Sequence, residues 1–260
     1  MHNAPKKSLG QNFLTDKNIQ RKIIDACDCC GQETVLEIGA GRGELTELLA
    51  SRVKKVYAFE IDEHLCGMLN QRLKNFGNVE VVHKDVLTLD IRKFVSADGA
   101  TKVIGNIPYY ITTPLIEKVI TLGSSIEAVY FTVQKEFGER IAAPAGSKTY
   151  GSFSCFVQYY TVPRVLFTVK KTCFWPVPGV DSCFLRLACR KEFDLSSKSE
   201  TRLFKVIRTA FNQRRKTLRN SLKGLVAGQK LSLFFSRYGI DRNIRPEALT
   251  LEDFVNLSTM

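Results

Sequence analysis

The chain has 260 residues, 44% of them apolar, which suits a soluble globular protein with a real core and one large domain, alone or with a small companion. No run approaches the roughly 18 consecutive apolar residues of a membrane span, so no membrane partner is expected. The net charge of +12 is concentrated: from Arg186 to Lys223 there are twelve Lys/Arg against three Asp/Glu, a basic surplus that suggests a polyanionic partner, with nucleic acid expected.

Residues 1 to 30 form a lead-in. Met1–Lys7 carries no apolar signal region and no long Arg/Ser-rich presequence, so a cytoplasmic protein is expected. A helix is predicted over Lys17–Cys27, capped by Thr15 or Asp16. Cys27, Cys29 and Cys30 cluster without forming a Cys-x-x-Cys pair. With His2, His64 and His83 as the only histidines, the eight cysteines read as plain thiols, and no metal is expected.

Thr34–Ile38 reads as a short buried strand. It runs into Gly39-Ala40-Gly41-Arg42-Gly43 and a helical pattern near Leu45–Val53. A dinucleotide fingerprint needs Gly or Ala where this chain has Glu44, and a carboxylate in the first helical turn would repel a pyrophosphate. The spacing instead resembles the acidic-x-Gly-x-Gly-x-Gly loop of methyltransferases that use S-adenosylmethionine. That cofactor has a sulfonium cation and no phosphate, so Glu37 is tolerable beside it.

Val56–Phe59 is the second predicted strand and ends in Glu60, placed to accept from ribose hydroxyls. A helix near Glu63–Asn75 leads to a third strand, Val79–Val82, followed by Asp85, placed to accept from an adenine amino group. Any one of these acids alone would pass for a helix cap. In order, each after a strand, they would line the crevice at the strands' carboxyl ends, where open α/β sheets bind ligands.

The apolar Val103-Ile104 precedes Asn106-Ile107-Pro108-Tyr109. The Asn106 side-chain oxygen and the Pro108 carbonyl can each accept from an exocyclic amine, and Tyr109 can stack on its ring. Two such acceptors would pull both N–H bonds off-plane and free the lone pair for attack. A helical pattern at Thr113–Leu122 and a strand at Ala128–Val133 follow, then a glycine-bearing loop at Ala145–Gly151 and a helix through Tyr160. Val165–Val169 and Cys183–Leu187 are the last predicted strands, separated by the turn Phe174-Trp175-Pro176-Val177-Pro178-Gly179. Trp175 is read as a core residue or turn anchor, since aromatics are rarely exposed. From about Leu195 the pattern is all helical, with Leu203, Val206, Ile207, Ala210 and Phe211 at helical spacing.

These motifs together resemble the ribosomal RNA small-subunit adenine dimethyltransferase family over nearly the whole chain. Lys7-Ser8-Leu9-Gly10-Gln11-Asn12-Phe13-Leu14 is similar to that family's N-terminal cofactor-binding segment. Phe174-x-Pro176-x-Pro178-x-Val180-x-Ser182 and Phe211-x-x-Arg214-Arg215-Lys216-x-Leu218 resemble its later signatures. Gly179 departs from it, since members often carry a basic residue there. The resemblance implies an α/β fold: a Rossmann-like domain with a seven-stranded, mostly parallel sheet over residues 1–194, and a small helical RNA-binding domain over 195–260. It implies S-adenosylmethionine as methyl donor, and N6-dimethylation of two adjacent adenosines in a hairpin loop near the 3′ end of small-subunit rRNA. Cofactor contacts would be Asn12, Leu14, Gly39, Glu60, Asp85 and Asn106. Asn106, Pro108, Tyr109 and Phe174 would hold the target adenine. The partner would be the immature 30S subunit and the enzyme a monomer. Rival readings are a large-subunit rRNA dimethyltransferase of the antibiotic-resistance branch, a DNA adenine methyltransferase, and a non-catalytic assembly or transcription factor on the same fold.

Overall fold

A computed structural model describes residues 5–97, 100–190, 193, 195–213 and 215–260; Arg214 of the quoted motif and His2 lie outside the described residues. The chain divides into two compact units, Met1–Gly138 with Thr161–Arg190, and Glu139–Tyr160 with Lys191–Met260.

The first unit opens with a two-residue strand β1 (Phe13–Leu14) and helix α1 (Lys17–Ala26). Asp16 caps α1, its side chain accepting from the Asn18 and Ile19 N–H groups. There follow β2 (Thr34–Ile38), α2 (Glu44–Ala50), β3 (Lys55–Glu60), α3 (Glu63–Arg72), β4 (Val79–His83), β5 (Thr101–Asn106), α4 (Thr112–Ile120) and β6 (Ala128–Gln134), then α5 (Lys135–Ile141), within which the first unit's segment ends at Gly138. After α6 (Ser152–Tyr160), which belongs to the second unit, come β7 (Thr161–Val169), β8 (Phe174–Trp175) and β9 (Ser182–Cys189). The seven-stranded sheet has the order β4-β3-β2-β5-β6-β9-β7. Neighbouring strands from β4 to β6 pair in parallel, whereas β9 runs antiparallel to both β6 and β7. This is the Rossmann-like arrangement expected, and β2 and β5, buried on both faces, are its centre.

Strand order reverses at β2: the chain goes outward through β3 and β4, then returns to β5 on the other side. A crevice therefore opens above the carboxyl ends of β2 and β5, as in other open α/β sheets. β2 and β5 approach closely there. A Cβ on Gly105 would stand 2.6 Å from the Ile38 carbonyl oxygen and 2.6 Å from Ile107 Cδ1, so only glycine fits. At the opposite end of β5, the buried Lys102 ammonium donates to the Cys27 carbonyl (3.2 Å), the Asp28 carbonyl (2.7 Å) and Glu33 Oε1 (3.1 Å), tying the end of α1 to the sheet.

Pairing of β1 with β8 joins Phe13 to Trp175 and Leu14 to Phe174. Neither strand was expected. Two-residue strands leave no periodicity, and the partners lie too far apart in sequence for a turn to signal them.

In the second unit, α6, α7 (Ser197–Phe211), α8 (Leu218–Ser221), α9 (Gly228–Tyr238) and α10 (Leu251–Thr259) bury one shared core. The predicted stripe Leu203, Val206, Ile207, Ala210 and Phe211 is the buried face of α7. Tyr150 meets Phe211 edge-on at 5.8 Å, and Phe156 and Tyr159 pack on Phe204 at 5.1 and 5.2 Å. These ring contacts explain why Glu139–Tyr160 groups with the C-terminal helices, whereas the sequence reading placed the divide at 194/195. Among the described residues no helix is long and apolar enough to cross a membrane.

Candidate active site

One cleft of about 210 Å³ at the carboxyl ends of β2 to β5 is bordered by every residue singled out from the sequence: Asn12, Leu14, Gly39, Glu60, Asp85, Asn106, Pro108, Tyr109 and Phe174.

The glycine loop builds its floor. Gly39, Gly41 and Gly43 have φ of 73°, 60° and 84°, the left-handed region that side-chain-bearing residues avoid. The turn aims the Gly41 N–H at Glu60 Oε2, 2.9 Å away, and Glu60 Oε1 accepts from the Ile61 and Asp62 N–H groups, each at 2.9 Å. Main-chain donors thus lock the carboxylate at the cleft wall. Asp85 holds its own turn by accepting from the Leu87 N–H at 2.8 Å and also borders the cleft.

Below the loop, Glu37 is only 2% exposed, and among the described residues its Oε2 has no hydrogen-bond partner. Burial pushes its carboxyl up to about 8, and the nearby Glu44 and Glu60 push the same way.

The N-terminal segment forms the opposite wall and is pinned along its length. Lys6 Nζ lies 2.8 Å from Asp62 Oδ1, and Gln11 Nε2 donates to Asp62 Oδ2 at 3.2 Å. Although burial works against ionisation, these donors hold Asp62 below the usual carboxylate range. The Leu14 carbonyl accepts from Gln20 Nε2 at 2.7 Å. Most consequential is Asn12, whose main-chain carbonyl accepts from Asn106 Nδ2 at 2.7 Å. A carbonyl can only accept, so the Asn106 amide is oriented with Oδ1 as its remaining acceptor.

The second acceptor differs from expectation. The Pro108 carbonyl accepts from the Ile111 N–H at 3.1 Å and from Thr112 Oγ1 at 3.3 Å. These bonds form the short 3₁₀ turn Tyr109–Ile111 and the first turn of α4. Among the described residues the Ile107 carbonyl has no such partner, while the Ile107 N–H is spent on the Thr132 carbonyl at 3.2 Å. Ile107 also borders the cleft. Of the two strand-end carbonyls, Ile107's is the one left to accept.

The Tyr109 hydroxyl lies 3.0 Å from Ser182 Oγ, at the start of β9, which fixes the ring from its far end. Ser182 was visible in the sequence as the last letter of a motif, but nothing there tied it to Tyr109. Phe174 reaches the cleft from β8 yet is 3% exposed and packs into the core. Its neighbour Trp175, read from the sequence as core or turn anchor, is 43% exposed. Alternation along the strand sends one aromatic ring inward and the next outward. Among the described residues no cluster of His, Cys, Asp or Glu could hold a metal ion.

A profile of the family described as "Ribosomal RNA adenine dimethylase" matches residues 2–260. The chain belongs to that family. This dimethylase is 43% identical over 262 aligned residues to the Ribosomal RNA small subunit methyltransferase A of Geobacillus sp. (strain WCH70), covering 97% of this chain and 90% of that protein. It is 42% identical to the protein of the same name from Bacillus cereus (strain AH187), with the same coverage. Among solved structures it resembles a dimethyladenosine transferase from Plasmodium falciparum, with a TM-score of 0.82, 26% identity, and coverage of 94% of this chain and 95% of that one. The 23S rRNA methyltransferase ErmE has a TM-score of 0.78 at 24% identity over 95% of this chain and 98% of its own, which bears on the fold alone. The dimethylase is therefore an rRNA adenine dimethyltransferase.

The cleft suits S-adenosylmethionine. The acidic side chains of Glu60 and Asp85 on the cleft border suit a cationic ligand better than a phosphate-bearing one.

Proposed function

We propose that this dimethylase transfers methyl groups from S-adenosylmethionine to N6 of two adjacent adenosines in a hairpin loop near the 3′ end of small-subunit rRNA. It would act as a monomer in the cytoplasm on the immature 30S subunit. The curated relatives named for the small subunit support that choice of substrate. The observation that carries the chemistry is the Asn106 amide, held by the Asn12 carbonyl with its oxygen free as an acceptor.

The methyl donor would be held by the loop from Gly39 and by Asn12, Leu14, Glu60, Asp85 and Asn106. When bound, it supplies an electrophilic methyl group on a sulfonium whose departure as a neutral thioether needs no metal. Asn106 Oδ1 and the Ile107 carbonyl accept the two N6–H bonds of a flipped adenine and turn the amine's lone pair toward that methyl. Tyr109, steadied by Ser182, stacks on the base, with Phe174 as the opposing surface. Taking a base out of its stack costs a few kcal/mol, less in a loop, and each stacking ring returns about 1–3 kcal/mol. The amine becomes acidic once methylated and releases its proton to water, so the enzyme contributes orientation and electrostatic preorganisation.

Methyl transfer is to be assayed on unmodified 30S subunits and, in parallel, on 50S subunits and 23S rRNA, with the product nucleoside identified by mass spectrometry. Dimethyladenosine at adjacent positions of small-subunit rRNA alone is the expected result. Modification of the large-subunit RNA instead would overturn the assignment.

A further inference from the structure

Strand β8 presents an aromatic ring that the mechanism does not use. Trp175 is 43% exposed, and Val177 and Val180 beside it are 57% and 46% exposed. The indole is nevertheless held. The Phe13 ring stacks on it at 6.5 Å with 21° between planes, and the Arg42 guanidinium lies 5.1 Å from it and 4.2 Å from Phe13. Arg42 comes from the glycine loop and Phe13 from the N-terminal wall, so three elements of the cleft converge on this ring. Trp175 does not border the cleft itself, whereas its chain neighbour Phe174 and its stacking partner Phe13 do.

A hydrophobic anchor would be expected to bury its ring, which Trp175 does not. An oriented, half-open indole backed by a cation is instead the kind of surface on which single-stranded bases stack. Arg42 carries its N–H donors in the guanidinium plane, where they suit a phosphate oxygen, and the exposed Lys171 lies just upstream in the chain. Charge and ring chemistry thus fit an RNA strand passing the cleft mouth.

We propose that Trp175, held by Arg42 and Phe13, is a stacking platform for the nucleotide next to the adenosine being methylated. The proposal rests on the RNA-loop reading above. One base enters the cleft against Tyr109 while its unstacked neighbour finds a replacement partner on the indole. Unstacking two adjacent nucleotides in a loop would then leave neither ring exposed to water. Trp175 is a positioning residue and makes no contact with the reacting atoms.

The chain has a single tryptophan, so the platform carries its own reporter. Enzyme saturated with S-adenosylhomocysteine is titrated with an RNA hairpin bearing the target loop, and tryptophan emission is followed. Stacking should quench it. Trp175→Ala should raise KM for the RNA on the order of tenfold, with kcat and the cofactor Kd nearly unchanged. Trp175→Phe, which keeps a stacking ring and the packing on Phe13, should recover most of the affinity. Unquenched emission from the wild-type protein, together with wild-type KM in both variants, overturns the proposal. So does a raised cofactor Kd in Trp175→Ala with RNA affinity unchanged, which would mark the ring as a mere fastener of the N-terminal wall. Wild-type enzyme is first assayed on small- and large-subunit RNA. Failure on the former sinks the substrate reading, and the titration then uses whichever RNA is methylated, so the two ideas fail separately.

Discussion

At the scale of single residues, the cleft separates holding the cofactor from activating the base. Asn106→Ala removes an acceptor that matters most as the amine turns tetrahedral, so kcat should fall roughly hundred- to thousandfold while cofactor affinity falls only modestly. Equal turnover by the variant on unmodified small subunits would refute the role. Glu60→Ala should act the other way, raising the cofactor Kd roughly tenfold or more by calorimetry, because a charged acceptor and its loop contacts are lost together. Glu37 makes a prediction about pH. Its carboxyl is pushed from 4.5 to about 8, so between those values the folded protein keeps a proton that the unfolded chain has released. Stability therefore falls as pH rises through that window. Glu37→Gln cannot ionise and should remove the fall. Urea unfolding of the cofactor-free protein near pH 5.5 and 8.5 tests this: wild type should lose stability relative to the variant at the higher pH, and parallel curves would show that Glu37 is not buried as a neutral acid.

Among the elements, β5 sets the geometry of the site through its contact with β2. In Gly105→Ala the new Cβ would meet the Ile38 carbonyl oxygen and Ile107 Cδ1, both 2.6 Å away. Overpacking of this kind costs about 1–3 kcal/mol, and here it also displaces Asn106. Lower stability in urea together with a fall in kcat is expected; a variant with wild-type values of both would show that the strands can spread freely. The strands themselves were legible in the sequence because each is a short β-branched run ending in a chemically meaningful residue: Ile38 before the glycines, Glu60, His83 shortly before Asp85, and Asn106. What escaped was non-local. Nothing in Phe13-Leu14 announces pairing with Phe174-Trp175, and the exposure of Trp175 follows from that pairing. The choice between the Ile107 and Pro108 carbonyls was also illegible, because it depends on where the 3₁₀ turn before α4 begins. Both oxygens end the same strand in the sequence, and only the hydrogen bonds from Ile111 and Thr112 tell them apart.

For the whole molecule, charge is the governing quantity. A net +12, much of it between Arg186 and Lys223, predicts RNA affinity that falls steeply with salt. Each phosphate neutralised should contribute about 0.7–0.9 to the slope of log K against log salt, so six or more contacts would cost on the order of a thousandfold between 50 and 200 mM. A binding titration over that range counts the contacts, and a flat response would exclude phosphate neutralisation as the main source of affinity. One further consequence comes from β5, which carries Lys102 as its second residue and Asn106 as its last. The Lys102 end answers only to rigidity, whereas the Asn106 end must stay polar and partly unsatisfied to receive a base. An engineer seeking a heat-resistant enzyme would therefore work around Cys27, Glu33 and Lys102, where tightening leaves catalysis untouched, and would spare the rim where β5 meets the glycines.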